Sequence, residues 1–434
     1  MTFAPVFKGQ RFAVLGLGRA GLPAARALRR MGADVFVWDD SASAREGAEA
    51  ENFTLMRPSD VSGRLDALVL SPGIPHRLPK PQEQAAWALA QSVPVLTDVE
   101  LLYRAVRGSG SGARFAGITG TNGKSTTTAL LAHICAVAGI PNAAGANLGP
   151  AALSLPLLPD HGVYVLEMSS YMLERIVTLR FDAAAMLNLS PDHLDRHGDM
   201  AGYAAAKREI FARQEESDTA VIGTDDEPSR QMAAWLHGQR ARVIEISGET
   251  FEVKNAKALP GAHNAQNAAA AAAMAKALGV PDVAIAEGIR TYPGLPHRQQ
   301  EVAVRQGVRF INDSKATNVD AASRAMGCYD RFIWIAGGVG KTGGIEDLAL
   351  FFPRVAKAFL IGQDAENFAA TLASHGVAYE VAGTLDAAVT AAFALARAGG
   401  VQDILFSPAA ASFDQFQNFE QRGERFAQLV KELI

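Results

Sequence analysis

Apolar and polar positions alternate along the chain in a recurring order. A short run rich in β-branched and aromatic residues comes first, then a Gly-containing turn, then an alanine-rich stretch with helical spacing. Strand followed by helix, repeated, predicts parallel α/β units. Three blocks of this kind succeed one another. In the first, strands are predicted at 11–15, 34–38 and 67–70, with a helix over 22–31. The block closes near Arg107, and the Gly-Ser-Gly-Ser-Gly stretch at 108–112 has linker composition. The second block starts with a strand at 114–119 and continues through strands at 163–166 and 183–189. It then enters an alanine-rich helix over 268–278, and the Pro-Gly-Leu-Pro run after Tyr292 breaks the pattern sharply. The third block has strands near 308–312, 332–336, 358–361 and 404–406. The domains expected from this pattern are 1–107, 108–298 and 299–434.

Composition narrows the class. The 434 residues are 49% apolar and 20% charged, ordinary values for a globular protein. A formal charge of −4 supplies no global attraction to nucleic acid or to an anionic membrane. Two cysteines, Cys135 and Cys328, are too few for a disulfide framework and fit a reducing compartment. The first ten residues lack signal-peptide character, and apolar stretches are interrupted before reaching membrane-spanning length. The expectation is a cytoplasmic protein with no nucleic-acid or membrane partner, acting as a monomer.

The sharpest chemical signal follows the strand at 114–119. Gly120-Thr121-Asn122-Gly123-Lys124-Ser125, with Thr126 next, is a Gly-rich turn that opens a helix with Lys-Ser. Glycines let backbone N–H groups converge on phosphate oxygens, the lysine adds charge at the outer phosphates, and the serine hydroxyl ligates Mg²⁺. The helix directs its positive dipole end at the same anion. Ile118 stands where the first glycine of the strict eight-residue pattern belongs. The expected cofactors are therefore ATP and Mg²⁺.

A metal–ATP site needs more oxygen ligands than one hydroxyl. The buried-looking strand at 163–166 ends in Glu167, and ligands of open α/β sheets gather at the carboxyl ends of strands. Glu167 is either such a ligand or a solvated strand end. His193 lies in Pro191-Asp192-His193-Leu194-Asp195, where it either meets a metal or stays on the surface. Lys207 shares a helical face with Tyr203, Ile210 and Phe211. A lysine inside an apolar stripe snorkels, pairs with an acid or is modified. Desolvation raises its neutral fraction, and a neutral amine adds CO₂ to become a carbamate, which is an anionic metal ligand.

Near the N-terminus, Gly16-Leu17-Gly18-Arg19-Ala20-Gly21 follows a strand and opens a helix, with Asp39 ending the next strand. This is the dinucleotide-binding fingerprint, in which the acid meets a ribose hydroxyl. Alone it points to an NAD-dependent dehydrogenase. No part of it reads nicotinamide, and the ATP loop in the next block makes a two-substrate ligase more economical.

Taken together, these motifs resemble the Mur ligase family of peptidoglycan synthesis over essentially the whole chain. The run Ser407-Pro408-Ala409-Ala410-Ala411-Ser412-Phe413-Asp414-Gln415-Phe416, continuing to Gly423, carries the resemblance most specifically. Gly261-Ala262-His263-Asn264, Leu295-Pro296-His297-Arg298 and Asp313-Ser314-Lys315-Ala316-Thr317-Asn318 add to it. The resemblance implies an α/β fold of three domains: a Rossmann-like N-terminal domain, a central P-loop ATPase-type domain and a Rossmann-like C-terminal domain. It implies amide-bond formation through an acyl phosphate, with UDP-N-acetylmuramoyl-L-alanine and D-glutamate as substrates. Residue by residue, Lys124 and Ser125 would serve ATP and Mg²⁺. Glu167 would hold one metal, His193 and carbamylated Lys207 a second. Asn267, Arg298 and Asp313 would contact ATP. Asn147 would meet the UDP-sugar beside Ser71, Pro72 and Gly73, with Asp39 at the uracil. Lys315, Thr317, Lys341, Ser412 and Phe419 would surround glutamate. The chain departs from the family pattern at Ala20, Asp40 and Ser41, which concerns the uridine contacts.

Each of these positions has a plainer reading. Asn264 or Asn267 would begin a helix, Asp313 and Ser412 would be turn residues, Lys341 a solvated loop lysine, and Phe413, Phe416 and Phe419 core. The alternatives to the ligase are folylpolyglutamate synthase, which lacks the N-terminal UDP-binding block, an NAD-dependent dehydrogenase, and a non-catalytic nucleotide sensor.

Overall fold

The computed structural model describes residues 3–253, 255–340 and 343–433. It forms two compact units, one of Met1–Asn255 with Asn264–Tyr292, the other of Ala256–His263 with Pro293–Ile434.

The first unit holds two sheets. One comprises β1 (Arg11–Leu15), β2 (Asp34–Trp38), β3 (Thr54–Leu55), β4 (Ala67–Leu70) and β5 (Val95–Leu96), in the order β3-β2-β1-β4-β5. All neighbours are parallel. Phe12, Ala13, Val14 and Leu15 are all buried, because helices cover both faces of a parallel sheet and leave no polar alternation. The strand order reverses between β1 and β4, so the loops after these two strands diverge and open a crevice.

The other sheet comprises β6 (Arg114–Thr119), β7 (Asn142–Ala146), β8 (Val163–Glu167), β9 (Ala183–Met186), β10 (Thr219–Gly223) and β11 (Arg242–Ile246), in the order β11-β10-β9-β6-β8-β7. All its pairings are parallel too. β9 stops short of the expected Leu189. The N–H of Leu187 still bonds the carbonyl of Thr119, but the next carbonyl, Asn188, takes the N–H of Thr121 in the Gly-rich turn. The alanine-rich helix begins earlier than its composition suggests, at Ala262–Ala277, and a second helix, Asp282–Thr291, precedes Tyr292.

The expected linker at 108–112 is pinned. The helix Asp98–Gly108 runs into it, Arg107 donates to the carbonyls of Ser111 and Ala113, and the Ser111 hydroxyl donates to the carbonyl of Leu158. A second tie comes from Glu100, whose side chain is fully buried. Its carboxylate accepts from the backbone N–H groups of Val177, Thr178 and Leu179, from the Thr178 hydroxyl at 2.6 Å and from Arg104. Burial alone would raise its pKa, but the Thr178 hydroxyl and those N–H groups outweigh it and hold the carboxyl below the ordinary glutamate value. Glu100→Ala strands these donors. The expected loss of unfolding free energy is about 3 kcal/mol or more, read by chemical denaturation. Because the folded pKa is the lower one, the contribution is complete above the ordinary glutamate range and is lost as pH falls through the folded value. The variant's deficit should therefore shrink in acid.

The second unit carries β12 (Gln300–Arg305), β13 (Val308–Asn312), β14 (Phe332–Gly337), β15 (Val355–Ile361), β16 (Tyr379–Gly383) and β17 (Asp403–Phe406), in the order β12-β13-β17-β14-β15-β16. Only the β12–β13 pair is antiparallel. They form a hairpin whose two-residue turn, Gln306-Gly307, has both φ angles positive, which suits the strand twist. The two edge strands, β12 and β16, were not expected from the sequence. Neither has a buried residue, and the apolar stretches 302–304 and 381–382 are short. Among the described residues, no helix is long and apolar enough to cross a membrane.

Candidate functional site

β6 delivers the chain into a turn that needs its glycines. Gly120 has φ +145° and Gly123 φ +84°, and a Cβ on Gly123 would overlap the Asn267 side-chain oxygen. Asn267 thus reaches the turn from the alanine-rich helix. The helix Lys124–Val137 opens directly after Gly123. Lys124 Nζ folds back to donate to the carbonyls of Gly120 at 2.9 Å and Thr121 at 2.7 Å. Ser125 is buried and Thr126 half-buried. The stretch after β9 braces the turn from outside. Asn188 Oδ1 accepts from the N–H of Asn122 at 2.8 Å, and the Asn188 amide donates to the Asn122 carbonyl. The Thr121 hydroxyl accepts from the N–H of Ser190 at 3.0 Å.

Glu167, the last residue of β8, is buried. Its Oε1 accepts from the Asn147 amide at 2.6 Å, while Oε2 is buried with no hydrogen-bond partner. An orphaned carboxylate oxygen is costly in an interior. Hard oxygen donors of this kind, with the Ser125 hydroxyl, suit Mg²⁺.

Lys207 does not snorkel. It is 1% exposed, and its Nζ donates to the Gly120 carbonyl at 2.9 Å and to the Thr119 hydroxyl at 3.3 Å. Burial, reinforced by the positive charge of Lys124, pushes its pKa well below the ordinary lysine value. The helix Met200–Arg208 ends just after it, so Ile210 and Phe211 are buried from the following turn and not from the helical face the spacing suggests. His193 sits at φ +53° before the short helix Leu194–His197, half-exposed, with Nε2 3.5 Å from Asp192 Oδ2 and its ring 4.9 Å from that of Tyr171. Burial lowers its pKa despite Asp192, and Lys124 and Lys207 push in the same direction. Lys124, Lys207 and His193 thus act on one another electrostatically.

The crevice beside β1 and β4 is a cavity of about 540 Å³. It is lined by Asp39, Ser71, Pro72 and Gly73 from the first sheet and reaches Asn147 at the end of β7. Asp39 accepts from the N–H of Leu17 at 2.6 Å and of Ser41 at 2.8 Å, so it also braces the Gly-rich turn after β1. The Ser71 hydroxyl donates to the Gly16 carbonyl at 2.8 Å. A Cβ on Gly21 would collide with that same carbonyl, which is why the helix can start so close to the turn.

In the second unit, Asp313 follows β13. It accepts from the Ser407 hydroxyl at 2.8 Å and the N–H of Gln299 at 3.2 Å, and burial pushes its pKa up to about 7. Arg298 lies near enough to oppose that rise. Lys315 Nζ is 3.9 Å from the centroid of the Phe419 ring, a cation–π contact. The N–H of Thr317 bonds the Lys315 carbonyl, and Ser412 is buried. Phe416 packs partly into the core, but Phe413 is 74% exposed, which removes the core reading for that residue. Lys341 lies outside the described residues. Asn267 belongs to the first unit, Arg298 and Asp313 to the second.

The Mur ligase middle domain matches residues 118–258, and the Mur ligase glutamate ligase domain matches residues 297–409. The chain is 46% identical to the UDP-N-acetylmuramoylalanine--D-glutamate ligase of Paramagnetospirillum magneticum, covering 99% of this chain and 98% of that protein. It is 47% identical to the ligase of the same name from Caulobacter vibrioides, over 98% and 97% of the two chains. The chain belongs to the Mur ligase family. As a Mur ligase it is an ATP-dependent ligase that joins an amino acid to a carboxylate. The fold agrees with the structure of UDP-N-acetylmuramate-alanine ligase from Thermotoga maritima, with a TM-score of 0.59 over 97% of this chain and 99% of that one, at 16% identity.

Two supporting residues of this Mur ligase were not assigned from sequence. Asn188 holds the Gly-rich turn through Asn122. Arg422, buried in the helix Phe419–Glu432, donates to the Ser314 hydroxyl and to the carbonyls of Ser314 and Ala410. It joins the loop before Ser412 to the loop before Lys315. Both act through partners far away in sequence, which no local pattern marks.

Proposed function

We propose that this Mur ligase adds D-glutamate to UDP-N-acetylmuramoyl-L-alanine in the cytoplasm, as a monomer, during peptidoglycan precursor synthesis. One observation carries the reading. The crevice of the first sheet ends at Asn147, whose amide is bonded to Glu167, a strand neighbour of the phosphate turn. A nucleotide-sugar lying in that crevice would bring its free carboxylate toward the γ-phosphate of ATP. The names of the relatives at 46–47% identity support the choice of substrates.

The roles follow the functional domains 1–107, 108–298 and 299–434. Asp39, Ser71, Pro72, Gly73 and Asn147 hold the UDP-sugar. Gly120 to Thr126 cradle the ATP phosphates, with Asn267, Arg298 and Asp313 on the rest of the nucleotide. Lys315, Thr317, Lys341, Ser412 and Phe419 take glutamate, whose carboxylates suit the lysines and hydroxyls. Ser125 and Glu167 would hold one Mg²⁺, and His193 with carbamylated Lys207 a second. Bound there, Mg²⁺ supplies the positive charge that lets two anions meet. The carbamate nitrogen keeps one N–H, so a modified Lys207 retains a donor for the Gly120 carbonyl.

In the first step the alanine carboxylate attacks the γ-phosphate and ADP leaves, giving an acyl phosphate. In the second the glutamate amine attacks the acyl carbon, phosphate leaves, and an amide remains. Lys124 stabilises the charge on the transferring phosphoryl group. The test is phosphate release with UDP-N-acetylmuramoyl-L-alanine and D- or L-glutamate in parallel. Release is expected with the D enantiomer and the sugar nucleotide together. Equal release with L-glutamate, or release without the sugar nucleotide, would sink the substrate assignment.

A further inference from the structure

Arg175 follows the short helix Ser170–Leu173 and is only 2% exposed. No carboxylate bonds it among the described residues. Its guanidinium is spent on one loop instead. Nη1 donates to the carbonyls of Leu70 at 3.2 Å and Ser71 at 3.1 Å, Nη2 to that of Ile74 at 2.7 Å, and Nε to His76 Nδ1 at 3.3 Å. Burial lowers its pKa only to about 10, so the group remains a cation at neutral pH. Burial and the nearby Arg175 lower His76 to about 4, which keeps it neutral and able to accept. Arg196 adds a second cation, donating to the Gly73 carbonyl at 3.0 Å while lying 4.3 Å over the Tyr171 ring. Four of the five carbonyls from 70 to 74 are thus taken by two guanidinium groups.

That loop is one wall of the 540 Å³ cavity. Carbonyl oxygens facing an anion would repel it. Here they are engaged by guanidinium groups, and a cation sits buried behind the wall, where low polarisability extends its reach. Glu174, next to it in the chain, offsets part of the charge, but among the described residues no carboxylate hydrogen-bonds the guanidinium, and burying an arginine without such a partner is expensive. A cost of that kind fits a site that must receive a polyanion.

We propose that Arg175 is a positioning residue for the nucleotide-sugar cavity: by engaging the carbonyls of Leu70, Ser71 and Ile74 it sets the loop's shape and its electrostatic sign for a diphosphate. The inference rests on the reading of that cavity as a UDP-sugar site. Arg175 is not among the residues that line the cavity, so its effect should be larger for a charged ligand than for the base and sugar alone.

The experiment measures UDP and uridine binding to the full-length protein, wild type against Arg175→Met and Arg175→Lys, by calorimetry for UDP and ligand-observed NMR for uridine. ATP binding serves as the check on folding. Arg175→Met is expected to weaken UDP about tenfold or more, the worth of a charge-assisted contact, with uridine and ATP changed less than about twofold. Arg175→Lys keeps the charge without the fork and should fall between wild type and Arg175→Met. If Arg175→Met loses ATP binding, the UDP-to-uridine ratio of the Lys variant decides alone. Equal weakening of UDP and uridine, or unchanged UDP binding, overturns the proposal. Failure of the wild type to bind UDP overturns instead the nucleotide-sugar reading on which it rests.

Discussion

Replacing Lys124 by alanine is expected to abolish acyl-phosphate formation, with ADP release falling by about a thousandfold, the scale of losing one preorganised charge at a reacting phosphoryl group. The backbone cradle should survive. Alanine is a good first residue for the helix Lys124–Val137, and the turn is held from outside by Asn188 and Ser190. ATP should therefore still bind, more weakly, while the chemical step is lost. Two anions must approach in that step, and Lys124 is the lysine of the turn itself. The substitution also acts at a second place. The charge of Lys124 helps hold down the pKa of Lys207, so removing it makes Lys207 more basic. Rapid-quench measurement of ADP formed in the first turnover, at saturating ATP, checks the assignment. Near-normal ADP release refutes it.

Lys207→Ala has the other large effect. Activity is expected to drop by about a hundredfold or more, as for a lost metal ligand or its support, and to return in part when a short-chain carboxylate such as formate or acetate is supplied. The wild-type amine is buried against Thr119 and Gly120 at the root of the phosphate turn, so its removal leaves a pocket of the size such an anion fills. A carboxylate restores what a carbamate provided and nothing that an ammonium provided. If Lys207 acts as an unmodified donor to the Gly120 carbonyl, an added anion is repelled and no recovery follows. Full activity of the variant without additive would remove the residue from the mechanism altogether.

How much of this was legible in the sequence depends on where each residue's partners lie. Strands such as 67–70 and 332–336 read correctly, because a strand buried on both faces is an uninterrupted apolar run. The edge strands Gln300–Arg305 and Tyr379–Gly383 did not, because neither has a buried residue and their apolar stretches are only two or three residues long. The Gly-rich turn after β6 was legible as a turn opening a helix because its glycines, lysine and serine are contiguous. The apolar neighbours of Lys207 raised the question of its burial, but two of them lie beyond the helix end, and only the fold shows its amine at the turn. Asp39, Ser71 and Asn147 come from three distant stretches, and nothing local says that they line one cavity. Arg175 was invisible for the same reason: a buried arginine satisfied by distant carbonyls looks, in sequence, like any surface arginine. Arg422 lies within the run 407–423 that carries the resemblance, but its bonds to Ser314 could not be read there.

The tie made by Glu100 alters what the Gly-Ser run at 108–112 means. A stretch of that composition usually lets its flanking domains tumble, unfold and be cleaved apart independently. Here the two sheets that it separates share a buried carboxylate and its ring of donors, and the run itself is stitched down by Arg107 and Ser111. Heat or denaturant should therefore meet both sheets as one cooperative body, and a protease that nicks the run should leave a cut chain without releasing a domain.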